Sequence, residues 1–177
     1  MQIFPNGSVH LSSYRYKKAS NINRFPCLVF IDLDGMLNAD DASGEIDPEM
    51  VPHLQHILEK TNAGIVLSTG WRADWQKKQE IAAAIPGFEQ RYVGDIPDLG
   101  AERSFWNEDG RVNRWDEIEA WLEENGYEGP YAVLDDRNDM LREHPSFFHT
   151  VTKGRKGLTP EIARRVVKHL QSTPNKV

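Results

Sequence analysis

The stretch "CLVFIDLDGMLN", residues 27–38, runs a block of apolar residues directly into two carboxylates separated by one residue. Its first five residues are mostly β-branched or aromatic and include no charged side chain, which indicates a strand buried on both faces. Asp32 and Asp34 follow where this strand leaves the core, and an extended backbone would project both side chains to one side. The end of this strand is therefore a candidate functional site.

Two further apolar runs in the chain are also followed by polar residues. These runs and the residues after them are "GIVL" with Ser68, Thr69 and Gly70, and "YAVL" with Asp135 and Asp136. The carboxyl ends of parallel strands meet at one edge of a sheet, where open α/β folds bind their ligands. We expect four carboxylates to gather there, and clustered carboxylates repel one another unless a cation neutralises them or some are protonated. Oxygen ligands of this kind suit Mg²⁺.

Strand and helix signals alternate along the chain. Apolar residues at helical spacing follow Asp47-Pro48, and another helix is expected from about residue 74 to 84, ending before Pro86-Gly87. The remaining predicted elements are short strands at "RYV" (91–93) and "FFHTV" (147–151), helices after Asn113 and after Thr159-Pro160, and loops at 38–47 and 95–112. Buried strands separated by amphipathic helices predict an α/β fold of three layers, Rossmann-like, with helices on both faces of a mostly parallel sheet.

Length and composition favour one soluble domain. The chain has 177 residues, and we expect an N-terminal arm or hairpin at 1–25, a domain at 26–172 and a flexible tail at 173–177. No apolar run approaches the ~18 residues that a membrane span needs, and the N-terminus does not resemble a signal peptide, so we expect a cytoplasmic protein without a membrane partner. The net charge of -6 gives no global attraction for nucleic acid, so a phosphate-bearing ligand would need a local basic patch or a metal.

Four short motifs together resemble the haloacid dehalogenase-like (HAD-like) phosphohydrolases, over about residues 27–172. They are Asp-x-Asp-Gly at 32–35, the strand end "IVLSTG", Arg114 in "NRWDEIEAWL", and the acidic pair in "LDDRNDM". More narrowly, "DLDGMLN", "LSTGWR" and "LDDRNDML" resemble a small bacterial and phage branch associated with RNA-repair proteins, and also the phosphatase half of phage polynucleotide kinase. The ordered combination is far more specific than Asp-x-Asp-Gly alone.

The resemblance implies a role for each acidic residue. Asp32 would be the nucleophile that forms an aspartyl-phosphate. Asp34 would protonate the leaving oxygen and later deprotonate the attacking water, a task that favours a raised pKa. Mg²⁺ would be held by Asp32, by the carbonyl of Asp34 and by Asp136, with Asp135 in contact with these ligands or among them.

The resemblance also implies which residues bind the phosphate. Thr69 or Ser68, with the amide of Gly70, would bind a phosphoryl oxygen, and we favour Thr69 because it directly precedes the glycine. Arg114 would stabilise charge on the transferring group. The family usually has Lys at this position, and Arg differs from it in being a planar fork. Lys153 is a rival basic residue, although it lies beyond the last motif.

The spacing of the motifs bears on the substrate. Relatives that act on small molecules usually insert a lid domain, whereas the gaps at 36–67 and 71–113 have room only for core elements and loops. A fold without a large cap suits a substrate such as a polynucleotide end, so we expect a terminal phosphate of RNA, DNA or a nucleotide to be removed. The alternatives are a non-catalytic module that binds phosphate groups or a partner protein, and a phosphotransferase. The sequence predicts no oligomeric state.

Overall fold

The protein is described by a computed structural model that covers residues 19, 22–38, 45–99, 114–137, 144–149 and 157–173. Five strands form one sheet in which every pair is parallel, in the order β3-β2-β1-β4-β5. The strands are β1 (Leu28–Ile31), β2 (Gly64–Leu67), β3 (Tyr92–Asp95), β4 (Tyr131–Asp135) and β5 (Phe147–His149). The chain builds outward from β1 on one side and then crosses to β4, so the strand order reverses between these two strands. This reversal is where open α/β sheets bind ligands.

Helices cover both faces of the sheet. They are α1 (Val51–Thr61), α2 (Trp75–Ala84), α3 (Phe88–Arg91), α4 (Arg114–Asn125) and α5 (Pro160–Ser172). Val29 and Ile31 of β1 pack in one apolar core with α1, α2 and α5, while Leu28 and Phe30 point to the other face and pack against α4. This alternation follows from the period of two in a strand, and it confirms the predicted three-layer α/β fold.

Two element boundaries differ from the sequence prediction. The helix expected after Asp47-Pro48 begins at Val51, because residues 48–50 form a turn in which Asp47 Oδ1 accepts a hydrogen bond from the Glu49 amide at 2.8 Å. Arg91 ends the short helix α3 instead of opening a strand, since Gly87 takes a left-handed conformation (φ +74°) and starts that helix. The helix predicted from about residue 74 to 84 is observed as Trp75–Ala84 with Asp74 as its N-cap, and the helix predicted after Thr159 is confirmed.

Several predictions lie partly or wholly outside the described residues. These are most of the arm at 1–25, the loops at 39–44 and 100–112, the helix cap Asn113, Lys153, and the tail after residue 173. Within the described part, Ile22–Arg24 forms a single 3-10 turn, and the gaps on either side of β2 contain no inserted lid domain. None of the described helices is long and apolar enough to cross a membrane.

Candidate active site

The register of the sheet brings the polar strand ends together. Ile31 of β1 pairs with Leu67 of β2 and with Leu134 of β4, so the next residues, Asp32, Ser68 and Asp135, follow at one level. The Asp32 amide donates to the Leu134 carbonyl at 2.9 Å, which extends the ladder into the site. The three motifs that end in polar residues therefore meet at the edge where the strand order reverses.

Three carboxylates form a compact group, which we call the acid cluster: Asp32, Asp135 and Asp136. One oxygen from each lies within 4.8 Å of the others. Asp32 is 5% exposed and Asp135 is fully buried, so water screens their negative charges weakly. Among the described residues, no other group of His, Cys, Asp and Glu is close enough to hold a metal ion.

Burial changes the protonation of two members of the acid cluster. It raises the pKa of Asp32 to about 6, against the opposing effects of the Arg114 guanidinium and of hydrogen bonds from the Leu33 amide and Thr69. It also raises the pKa of Asp135 to about 7, and the neighbouring negative charge of Asp32 adds to the rise. Without a cation, the site thus favours protons on its carboxylates.

The donor set of the acid cluster fits Mg²⁺. Oδ2 of Asp135 is buried and accepts no hydrogen bond within the described part of the chain. A divalent cation would satisfy that oxygen and offset the repulsion among the three carboxylates. Asp34 is predicted to bind the metal through its carbonyl, which stays a prediction, and its carboxylate faces Asn38 and Trp71 instead.

Gly35 allows the acid cluster to form. Its backbone is left-handed (φ +71°), and a Cβ on it would lie 2.1 Å from Oδ2 of Asp136. No side chain fits in that space, so the glycine of the first motif lets the chain turn against the last motif. The short spacing Asp-x-Asp-Gly has this physical basis here.

Asp34 is exposed, and two side chains fix its carboxylate. Nδ2 of Asn38 donates to Oδ1 at 2.8 Å, and the indole Nε1 of Trp71 donates to Oδ2 at 3.1 Å. Oδ1 of Asn38 also accepts a hydrogen bond from the Gly35 amide at 2.9 Å, which closes a tight loop around Asp34. An exposed acid in a fixed orientation can reach a bound substrate and exchange protons with it.

The two candidate hydroxyls differ in their surroundings. Thr69 shares a hydrogen bond with Asp32, and its Oγ1 accepts from the Trp71 amide at 3.3 Å. Oγ of Ser68 is buried and has no hydrogen-bond partner among the described residues. Gly70 follows at the start of a 3-10 turn with open space where a Cβ would stand. The contact with Asp32 supports our preference for Thr69, and the role of each hydroxyl stays a prediction.

Arg114 begins α4 and lies beside the acid cluster. Its Nε is 4.0 Å from Oδ2 of Asp135, and neither atom makes a hydrogen bond within the described residues. The side chain is held from the other side by Glu117, whose Oε2 accepts from Nη1 at 3.1 Å. A guanidinium so placed can bind an oxyanion next to the carboxylates.

Sequence reasoning missed the residues that support the predicted ones. Glu117 also accepts from Nη2 of Arg72 at 3.1 Å, and we call Arg72, Glu117 and Arg114 the arginine–glutamate triad. Asn38 and Trp71 lie within the motifs "DLDGMLN" and "LSTGWR", but neither motif indicated their contacts with Asp34. Their signal in the sequence was proximity to the motifs: each stands within four residues of Asp34, Thr69 or Arg114.

Comparison with known proteins identifies a family that the chain matches. Residues 28–163 match the family model described as "HAD domain in Swiss Army Knife RNA repair proteins". We found no significant match among curated proteins or among solved structures. The matched segment runs from β1 into α5, so it contains all five strands and every residue of the acid cluster and of the triad.

Proposed function

The chain belongs to the family of HAD domains found in Swiss Army Knife RNA repair proteins, and we propose that it is a Mg²⁺-dependent phosphomonoesterase acting through an aspartyl-phosphate. Membership of the HAD-like superfamily indicates a phosphohydrolase-type function. The observation that carries the finer proposal is the acid cluster with Arg114 beside it, 4.0 Å from Asp135. This arrangement combines a nucleophile, a cation site and an anion-binding side chain.

Asp32 is the nucleophile of the proposed reaction. Hydrogen bonds from the Leu33 amide, at 2.8 Å, and from Thr69 orient its carboxylate. One carboxylate oxygen attacks the phosphorus in line, a P–O bond to Asp32 forms, and the P–O bond to the leaving oxygen breaks. Fixed placement of the attacking oxygen removes much of the entropy cost of this step.

Asp34 handles the protons. It gives its proton to the leaving oxygen as that oxygen departs, and then takes a proton from the water that attacks the aspartyl-phosphate. The second attack breaks the bond between phosphorus and Asp32, releases inorganic phosphate and restores the Asp32 carboxylate. Asn38 and Trp71 hold Asp34 in one orientation through both steps.

Asp32, Asp135 and Asp136, with the Asp34 carbonyl, are the residues that would hold Mg²⁺. The bound ion supplies positive charge that offsets repulsion between the Asp32 carboxylate and a phosphate dianion. Arg114 adds a second positive charge next to the transferring group, where hydrogen bonds to equatorial oxygens are strongest in the transition state. Both charges act in a site with little water, because Asp32 and Asp135 are buried.

The proposed substrate is a terminal phosphate of a nucleic acid or a nucleotide. The absence of a lid among the described residues supports this choice, since Asp34 is exposed at an uncovered edge. A polymer end can cover such a site with its own neighbouring nucleotides. The family description, which concerns RNA repair proteins, points to the same substrate class.

Phosphate release from a substrate panel tests the proposal. The panel holds p-nitrophenyl phosphate, nucleoside monophosphates, and oligonucleotides phosphorylated at the 5′ or the 3′ end, each with and without Mg²⁺. Asp32→Asn should abolish release. Asp74→Asn is the matched control, because the same change at the exposed N-cap of α2 leaves a residue that caps equally well.

Each result on the panel distinguishes between functions. Release that requires both Mg²⁺ and Asp32 supports the phosphatase, and the preferred substrate then decides between polymer and nucleotide. Transfer of the phosphoryl group to an added alcohol in preference to water would indicate a phosphotransferase. No release from any substrate, together with Mg²⁺-dependent phosphate binding, would indicate a non-catalytic binding module.

A further inference from the structure

Glu117 is a buried carboxylate that lies between two arginines. It is 5% exposed and stands on the first turn of α4. Oε2 accepts a hydrogen bond from Nη1 of Arg114 at 3.1 Å, while Oε1 accepts from Nη2 of Arg72 and from the Leu99 amide, both at 3.1 Å. The three donors to Glu117 lie in three segments of the chain: the 3-10 turn after Thr69, the segment after β3, and the start of α4.

We propose that Glu117 is a positioning residue for the phosphatase reaction, because it holds the Arg114 guanidinium in the orientation that binds the transferring phosphoryl group. The inference rests on the proposed function of the site. Glu117 itself makes no contact with the acid cluster in the described structure. It acts through Arg114.

The space between Arg114 and Asp135 shows why a restraint is needed. Nε of Arg114 stops 4.0 Å from Oδ2 of Asp135, beyond hydrogen-bond distance, although both atoms are buried and carry opposite charge. Attraction in this weakly screened region favours a closer pair. Such a pair would occupy the guanidinium and one carboxylate of the acid cluster at once. The hydrogen bond to Glu117 opposes that movement.

Arg72 fixes Glu117 relative to the phosphate-binding loop. Its Nη1 donates to the Thr69 carbonyl at 2.8 Å, and its Nη2 also donates to the Pro97 carbonyl at 3.3 Å. A continuous chain of hydrogen bonds thus joins Thr69, Arg72, Glu117 and Arg114. Thr69 and Arg114 are both expected to bind the transferring phosphoryl group, and this chain of hydrogen bonds fixes their positions relative to each other.

The triad also explains why this chain has Arg where the family usually has Lys. The guanidinium can give Nη1 to Glu117 and still present Nε and Nη2 towards the acid cluster. A lysine ammonium is a single point of charge on a flexible stem, and pairing with Glu117 would draw it away from the phosphate. Glu117 and Arg114 therefore belong together.

The first experiment compares Glu117→Gln with Glu123→Gln, an exposed change on the same helix. Gln keeps the shape of the side chain but loses its charge and one acceptor, so Arg114 is held less firmly. We expect kcat for p-nitrophenyl phosphate to fall about 10- to 100-fold while KM changes less than about 3-fold, since Arg114 acts mainly in the transition state. Glu123→Gln should match the wild type. Wild-type kcat for Glu117→Gln would overturn the inference.

A double-mutant cycle separates positioning from a general effect on folding. Arg114→Met keeps the apolar stem and removes the guanidinium. If Glu117 acts through Arg114, adding Glu117→Gln to Arg114→Met should lower kcat no further. An equal loss in both backgrounds would overturn the inference, because Glu117 would then act by another route. Melting temperatures of all four proteins show that folded enzymes are compared.

A binding measurement keeps the two proposals separate. If the wild type releases no phosphate from any substrate, the proposed function is wrong, and inorganic phosphate with Mg²⁺ is used as the probe instead. Phosphate should then raise the Tm of the wild type more than that of Glu117→Gln, and the difference should vanish with Arg114→Met. Equal shifts for the wild type and Glu117→Gln would overturn the inference.

Discussion

The acid cluster and the arginine–glutamate triad are two largely buried groups of charged residues at the same edge of the sheet, and their charges are compensated to different extents. In the triad, both oxygens of Glu117 accept hydrogen bonds from arginines. In the acid cluster, three carboxylates approach within 4.8 Å, and Oδ2 of Asp135 has no hydrogen-bond partner in the described structure. The carboxylate of the triad is paired within the protein, whereas Asp32 and Asp135 of the acid cluster share the positive charge of Arg114.

This difference indicates that the triad has a structural role and that the acid cluster binds a ligand. Removing charges from water costs free energy, which close opposite charges can offset. The triad obtains that compensation from the chain itself, so it stabilises the fold and fixes the position of Arg114. The acid cluster obtains too little, and burial raises the pKa of Asp32 and of Asp135. A region that is unfavourable without a ligand is where a ligand should bind.

Neutralising one member of the acid cluster should have the largest effect. Asp32→Asn should lower phosphate release by about 1,000-fold or more, because the nucleophile is lost. The same change should raise stability without Mg²⁺ on the order of 1 kcal/mol, or about 2–4 °C in Tm, since one of the repelling charges is gone. Parallel assays and thermal melts measure both effects. A variant that is inactive and also less stable would contradict this description of the cluster.

Removing the negative charge of the triad should lower stability, the opposite of the effect expected for the acid cluster. Glu117→Ala leaves two arginines facing each other in a buried region, and we expect it to lower the free energy of unfolding by about 3–5 kcal/mol. Glu123→Ala, exposed near the end of the same helix, is the control for lost helix contacts. Urea unfolding of both variants gives the comparison. A loss below about 1 kcal/mol for Glu117→Ala would mean that the triad is not the supporting group.

The members of the acid cluster and Arg114 could be predicted from sequence, but the roles of Arg72 and Glu117 could not. Asp32, Asp135 and Asp136 follow directly after apolar strands, and the carboxyl ends of parallel strands meet whatever the loops do. The apolar runs predicted the strand positions, and their alternation with amphipathic helices predicted the three-layer fold. Local patterns were sufficient to predict the acid cluster because the register of a parallel sheet places the residues that follow neighbouring strands side by side.

The contact between Arg72 and Glu117 is one that no local pattern contains, whereas Arg114 and Glu117 are three residues apart on one helix. Arg72 and Glu117 are 45 positions apart, and their pairing requires the 3-10 turn after Thr69 to meet the first turn of α4. The motif around Arg114 implied that it stabilises charge on the transferring group, but it did not indicate Arg72 as a further partner of Glu117. The orientation of Asp34 was likewise unpredictable, because Trp71 reaches it from another strand end. Side-chain direction at a loop is set by packing rather than by spacing.

Protons and Mg²⁺ should compete for the acid cluster. The folded pKa values of Asp32, about 6, and Asp135, about 7, lie above the usual Asp value of about 3.9. The metal-free folded protein therefore holds more protons than the unfolded chain. The stability from these groups is fully present below about pH 4 and is lost as pH rises through 6 and 7.

The measurement is Tm across pH with and without Mg²⁺. Because Mg²⁺ binds the ionised carboxylates, its stabilising effect should grow from pH 5.5 to pH 8, by a few degrees at saturating ion. Asp135→Asn should flatten the metal-free profile, whereas Asp74→Asn should not. A Mg²⁺ effect that is the same at both pH values would show that the raised pKa values do not belong to the metal ligands.

The smallest expected effect concerns Asp34, an exposed carboxylate whose oxygens are both paired, as those of Glu117 are. Trp71→Phe keeps an aromatic ring and removes the Nε1–H that donates to Oδ2, while Asn38 still holds Oδ1. We expect kcat to fall only about 5-fold, near 1 kcal/mol, and only where the leaving oxygen needs a proton. A 3′-phosphorylated oligonucleotide, whose leaving group is a basic alkoxide, should show the loss. p-Nitrophenyl phosphate, whose leaving group departs as a stable anion, should not. Equal losses on both substrates would mean that Trp71 supports the nucleophile or the loop rather than the proton transfer by Asp34.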